Sequence, residues 1–222
     1  MRPAQLPAPI GRRSLLAGSI GLPLLSVAEA RTNSPIINVA GAAPSLRFRM
    51  TDADTGKPVT GQDFRGKVVM LYIGYTNCPD VCPLTLYNVA KILKSLGSQA
   101  DNVRFLFVTV DPHRDTLPVL RHYTKLFAPQ IIGLRGTQNE LIRLTRRFRL
   151  VYSVSPATAT APYEVTHAPS IYVFGPQGRA QLLIPSLYHA TPADLAATQV
   201  RLEQLLKETP KQVGKVETRH RS

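Results

Sequence analysis

The chain has 222 residues, with 27 Lys and Arg against 14 Asp and Glu, a net charge of +13. An apolar share of 44% and a mean hydropathy of −0.05 fit one globular domain with appendages, and exclude a disordered or multispanning chain. The basic excess suits an acidic partner or an anionic membrane surface, and composition does not choose between them.

Residues 1–30 read as an address. Arg12 and Arg13 precede an apolar run from Leu15 to Val27 that ends in Ala28-Glu29-Ala30, the n-region, h-region and cleavage pattern of a secretory signal. The adjacent arginines and the mild, Gly- and Pro-containing h-region look like a bacterial twin-arginine signal. Residues 14 to 28, 15 in all, separate the flanking charges, short of the roughly 20 a comfortable span needs. Removal after Ala30 and a periplasmic location are therefore expected, with an uncleaved inner-membrane anchor as the alternative. Residues 31–45 are polar and small and read as a linker, 46–207 as the folded domain, and 208–222 as a basic, frayed tail.

Within the domain, Leu46 to Met50 alternates as a half-buried strand, and Asp54 to Pro58 marks a turn. Lys67 to Tyr75 is a nearly continuous β-branched and aromatic run, which predicts a buried central strand. Pro83 to Leu96 has helical periodicity and stops at Gly97, and Val103 to Val110 predicts a second buried strand. A helix follows from Thr116 toward Phe127, a short strand over 131–134, and a third helix from Thr137 to Phe148 with Thr137 and Glu140 in capping-box register. Ser153 to Pro162 has neither period and reads as a loop. Ser170 to Phe174 and Ala180 to Ile184 flank Gly175-Pro176-Gln177-Gly178 as a hairpin, and a helix N-capped at Thr191 runs to Lys207. This order predicts a single α/β domain whose central mixed sheet is flanked by helices.

The chemistry collects where the first long strand meets its helix. Cys78 and Cys82 stand at i and i+4, on one face of a helix start that favours thiolates. A disulfide across so short a loop removes little chain entropy, so a purely structural bridge gains little. The pair can chelate a soft metal or cycle between dithiol and disulfide, and two buried apolar cysteines are the plainer alternative. His167, just ahead of the strand 170–174, is the best placed of five histidines to be a third group. A histidine before a strand is, by itself, more often structural. His113 and His122 read as solvated, and His189 and His220 have no partner in sequence.

Gly74-Tyr75-Thr76-Asn77-Cys78-Pro79-Asp80-Val81-Cys82-Pro83, then Asp111-Pro112-His113-Arg114-Asp115-Thr116, then His167 ahead of a strand, resembles the Sco/SenC family of copper chaperones. The likeness runs from about Leu46 to Leu206. It implies a thioredoxin-like fold, copper held by Cys78, Cys82 and His167, and a role in assembling the CuA centre of cytochrome c oxidase, with oxidase subunit II as recipient. Other copper chaperones or thiol reductants are further partners it allows. Two thiolates and one imidazole suit three-coordinate Cu(I), with Cu(II) as a second state, whereas zinc takes a fourth ligand.

Asp111 reads equally as a residue orienting a ligand and as a turn-former before Pro112. The Asp that the family usually carries before the histidine is Thr166 here. Ala168-Pro169 looks like the cis X-Pro that faces the cysteines of thioredoxins, or it starts a strand. A thiol-disulfide oxidoreductase is thus the competing reading, although such enzymes use two intervening residues and need no histidine. Arg143, Arg146, Arg147 and Arg149 read as a solvated helix face or as a dock for an acidic partner or anionic lipid. No aromatic platform for nucleic acid is visible.

Overall fold

The computed structural model describes residues 36–161 and 163–208. The expected signal, the first part of the expected linker and nearly all of the expected tail lie outside them.

A continuous apolar strand needs cover on both faces, and the fold supplies it. β4 (Val68–Gly74) is buried at every position. It pairs in parallel with β5 (Val103–Thr109), and β5 in parallel with β6 (Ile131–Arg135). β9 (Ile171–Phe174) runs antiparallel on the other side of β4 and makes a hairpin with β10 (Ala180–Ile184). β2 (Arg49–Asp52) and β3 (Pro58–Thr60) close one edge of the mixed sheet. β1 (Ile37–Asn38) closes the other, giving the order β1-β10-β9-β4-β5-β6-β2-β3. The stretch read as a linker therefore contributes an edge strand, through Ile37 opposite Leu183.

Parallel neighbours require crossovers, and helices provide them. α1 (Val81–Ser95) joins β4 to β5, and α2 (Leu117–Lys125) joins β5 to β6. α3 (Gln138–Phe148) sets Phe148 against Tyr172 and Phe174, while α4 (Pro192–Lys207) packs on α1. Thr137 with Glu140, and Thr191 with Asp194, form capping boxes that fix where α3 and α4 begin. The core is centred on Met70, Tyr72, Phe105, Phe107 and Phe174, all fully buried. This is the thioredoxin-like architecture expected.

Two expectations are corrected, and the open choice at Pro169 is decided. The first strand is displaced from 46–50 to Arg49–Asp52, because the Leu46 N–H donates to the Gly178 carbonyl and its side chain plugs the core from a loop. Ser153 to Pro162 is not all loop: β7 (Tyr152–Ser155) pairs with β8 (Glu164–His167), where Val165 is the single buried residue. Ladder bonds and few apolar contacts hold this ribbon, so no hydrophobic period announces it. Ala168–Pro169 is trans, the ordinary X-Pro state, since no described peptide bond is cis.

Register positions the site. Val68 lies opposite Val103 and Gly74 opposite Thr109, so both central parallel strands end at one level. The cysteine loop and the Asp111–Asp115 loop consequently leave the sheet side by side, where ligands collect in such folds.

Candidate metal centre

Gly74 ends β4 under the helix start. A Cβ there would stand 2.8 Å from Cys82 Sγ and 2.8 Å from the Phe107 ring, so only glycine lets the second cysteine sit against the strand. Asp115, fully buried, accepts hydrogen bonds from the Thr76 N–H, the Thr76 hydroxyl and the Thr109 hydroxyl. It pins the loop that carries Cys78. Burial raises its carboxyl above the ordinary aspartate range, against the lowering effect of the two threonines.

At the helix start, Asp80 occupies the N-cap position without a side-chain cap bond. Cys78 takes over that task, since the Cys82 N–H donates to Cys78 Sγ at 3.4 Å. Its thiol falls to about 3, chiefly through the hydrogen bond from Cys82, with the Cys82 and Asp80 amides adding to it. Cys82 goes the other way: burial, then the neighbouring Cys78, pushes its thiol up. The pair is an exposed-side thiolate beside a buried thiol, and neither is in a disulfide.

His167 ends β8 and completes the group. Nδ1 lies 3.1 Å from the Ala168 carbonyl, an acceptor only, so that nitrogen carries the proton. Nε2 then presents its lone pair, 3.2 Å from Cys82 Sγ, and is the nitrogen free to take a metal. The ligand atoms of Cys78, Cys82 and His167 all lie within 4.8 Å of one another, the one such cluster among the described residues. Sulfur, sulfur and imidazole are a soft donor set.

Sequence reasoning missed the wall of this site. Tyr72 and Tyr75 meet the His167 ring edge-on at 5.5 Å and 5.8 Å, and the Tyr72 hydroxyl donates to Cys82 Sγ at 3.7 Å. Burial pushes the Tyr72 phenol up, and it pushes Tyr75 up to about 12 with help from Cys78, so both stay protonated. Alternation along β4 was the available signal, because Tyr72 shares a face with Gly74 two residues on. Asp111 does not reach the cysteines: it pairs with Arg114 and accepts from the Tyr163 hydroxyl at 2.8 Å. Thr166 faces outward, its hydroxyl 2.7 Å from that of Ser153. His113, His122 and His189 are exposed and outside the cluster, and His220 lies outside the described residues.

Residues 40–202, 163 of the 222, match the profile of the SCO1/SenC family. The chain belongs to that family. As a SCO1/SenC protein it is 35% identical to Protein SCO1 homolog, mitochondrial, of Homo sapiens over 126 residues, 56% of this chain and 42% of that protein. The chain spans about half the length, or less, of such curated relatives. Among solved structures, Bradyrhizobium japonicum ScoI with copper bound shares 34% identity at a TM-score of 0.62, covering 72% of this chain and 99% of that one. Yeast Sco1 with copper bound shares 28% identity at 0.63, covering 76% and 97%.

The arginines of α3 belong to a separate basic face. Arg143 and Arg147, with Arg47 and Arg49, line a hollow of about 450 Å³ over Phe48 and Leu144. Arg147 donates to the Ser45 carbonyl and Arg149 ends the helix in a left-handed conformation, while Arg146 is exposed. Among the described residues no helix is long and apolar enough to cross a membrane.

Proposed function

We propose that this SCO1/SenC protein is an exported copper carrier that delivers copper to the CuA centre of cytochrome c oxidase and assists its assembly. The observation that carries the reading is the convergence of Cys78, Cys82 and His167 within 4.8 Å. Copper is the cargo, and two thiolates with one imidazole suit Cu(I). Cys78, half-buried, is the ligand an incoming thiolate reaches first, so exchange starts there. Cys82 and His167 hold the ion from the buried side until the recipient's second ligand arrives. The recipient in this reading is oxidase subunit II, and the protein works in the periplasm after export through residues 1–30. The basic face around Arg47 and Arg143 suits an acidic partner or an anionic membrane surface.

The test is an anaerobic titration of the reduced full chain with Cu(I) against a coloured chelator. One tightly held copper per chain, weakened at least about a hundredfold by His167→Ala, is expected, as for loss of one ligand of three. Weak binding that ignores His167 would remove the copper role.

The asymmetry of the cysteines favours a second reading, reduction of the recipient's disulfide. The Cys78 thiolate attacks one target sulfur, forming a mixed disulfide and releasing the other sulfur as a thiolate. Cys82 then gives its proton to that thiolate and attacks Cys78 Sγ, freeing the second target thiolate and closing a Cys78–Cys82 disulfide. Two electrons pass to the target. A rate of target reduction unchanged by His167→Ala, with copper binding lost, would separate this activity from the carrier role.

A further inference from the structure

His167 sits at the end of an arm. Its strand β8 pairs with β7 alone, in a ribbon separate from the main sheet. A two-stranded ribbon is marginal in water by itself. Three of the four β7 residues are exposed, as are residues 156–161 beyond them. Something else must hold the imidazole in reach of Cys82, because a site loose by about 1 Å does not function as a site.

The outer end of the arm is fastened to the body. The Tyr163 hydroxyl donates to Asp111 Oδ1 at 2.8 Å, and Asp111 is 1% exposed. The Arg114 guanidinium pairs with the same carboxylate and lies 4.1 Å from the centroid of the Tyr163 ring. Its other neighbour is the Tyr75 ring at 5.9 Å, which itself stands edge-on to His167 at 5.8 Å. A continuous chain of side-chain contacts thus runs from Asp111 and Tyr163 through Arg114 and Tyr75 to His167. Among the described residues the ribbon is otherwise tied to the body by Val165, buried in the core, by Tyr152 packed against that core, and by an exposed hydrogen bond from Gln138 to the Tyr152 hydroxyl.

We propose that Tyr163, Asp111 and Arg114 form a latch that positions the His167 arm over the cysteine pair. The proposal rests on the copper reading. A carrier needs three ligands while it holds its cargo and must let one leave when it hands the cargo on. A latch built from one phenol–carboxylate bond and one cation stacked on a ring holds the histidine without welding it there. Arg114, 32% exposed at its side chain, is the part of the latch that solvent and a partner can reach.

Tyr163→Phe in the full chain tests this, since it keeps the ring over Arg114 and deletes only the hydroxyl. Cu(I) affinity should fall roughly tenfold, with release to a chelator faster by a similar factor, and Tyr163→Leu should cost more. In a His167→Ala background neither substitution should change Cu(I) affinity, because the arm then supplies no ligand. In the metal-free protein, Tyr163→Phe should shift and broaden the His167 imidazole NMR signals and leave the methyl signals of Ile92 and Leu106 in place. Equal losses with and without His167 would mean that Tyr163 acts on general stability, and no loss in either would mean that it does not position the arm. Should the wild type bind no copper, the copper reading fails separately, and unmoved His167 signals would then overturn the latch by themselves.

Discussion

Cys82 Sγ stands 3.2 Å from His167 Nε2 although 85 positions separate the two residues in the chain. The contact needs three independent arrangements: a glycine under the cysteine, a ribbon that returns β8 to the sheet end, and a protonated Nδ1 held by the Ala168 carbonyl. It gives the site a division of labour. In the copper reading Cys78 is the reactive edge, while buried Cys82 and half-buried His167 form a preorganised floor on which a soft ion would rest with little rearrangement.

The two cysteines should differ sharply toward alkylating reagents. Cys78 has its thiol at about 3, so its thiolate predominates above that pH and is lost only below it. Iodoacetamide should modify Cys78 at nearly the same rate from about pH 5 to pH 8, where an ordinary thiol accelerates tenfold per pH step. Cys82, fully buried with its thiol pushed up, should stay unmodified until the chain unfolds. Peptide mapping by mass spectrometry across that range checks both, and a Cys78 rate that climbs steeply through pH 8 would contradict the assignment.

Gly74→Ala should damage the site and the fold together. The added methyl would meet Cys82 Sγ and the Phe107 ring at 2.8 Å each, and both are buried, so one must move. We expect a stability loss of about 2–3 kcal/mol by urea titration, as for overpacking, and at least about tenfold weaker Cu(I) binding. Gly175→Ala is the matched comparison: its Cβ would meet nothing closer than Gln181 Cγ at 3.5 Å, and it should behave as wild type.

What the sequence made legible follows from range. Apolar runs, caps and turn glycines are local signals, and they located β4, β5, the four helices and the 175–178 turn. Cys78 and Cys82 were legible because their spacing is itself local, and His167 because it precedes a buried strand. The β7–β8 ribbon was hidden: Val154 is 37% exposed and backbone pairing, which has no residue code, does most of the holding. Tyr163 with Asp111, 52 positions apart, is likewise written in no period. Asp115 stood inside a recognised motif, yet its bond to Thr76 depends on the register that ends β4 and β5 together.

Tyr72→Phe isolates the hydroxyl behind the buried sulfur. That hydroxyl donates to Cys82 Sγ at 3.7 Å and so favours the reduced sulfur over the disulfide. Without it the reduced state loses up to about 1 kcal/mol, and the midpoint potential of the Cys78–Cys82 couple should fall by roughly 10–20 mV. The ring stays in place against Phe105, Phe107 and His167, so thermal stability should change little. A redox titration against dithiothreitol reads the shift, and a rise in potential would reverse the inferred direction of the bond.

Asp115 should govern the order of the cysteine loop, with a pH signature of its own. Asp115→Ala leaves the Thr76 N–H and two hydroxyls without their acceptor, and should cost about 2–4 kcal/mol. Asp115→Asn retains one accepting oxygen and should cost less. Because burial raises the folded carboxyl above its unfolded value, the protonated form is the one folding favours. Its contribution is complete below about pH 3.8, the ordinary value, and declines as pH rises through the raised one. Asparagine has no such decline, so the stability gap between wild type and Asp115→Asn should be widest in acid and narrow toward neutrality. Chemical denaturation of both proteins from pH 4 to pH 7 measures that gap, and one that widened with pH would show that the three hydrogen bonds outweigh burial at this carboxylate.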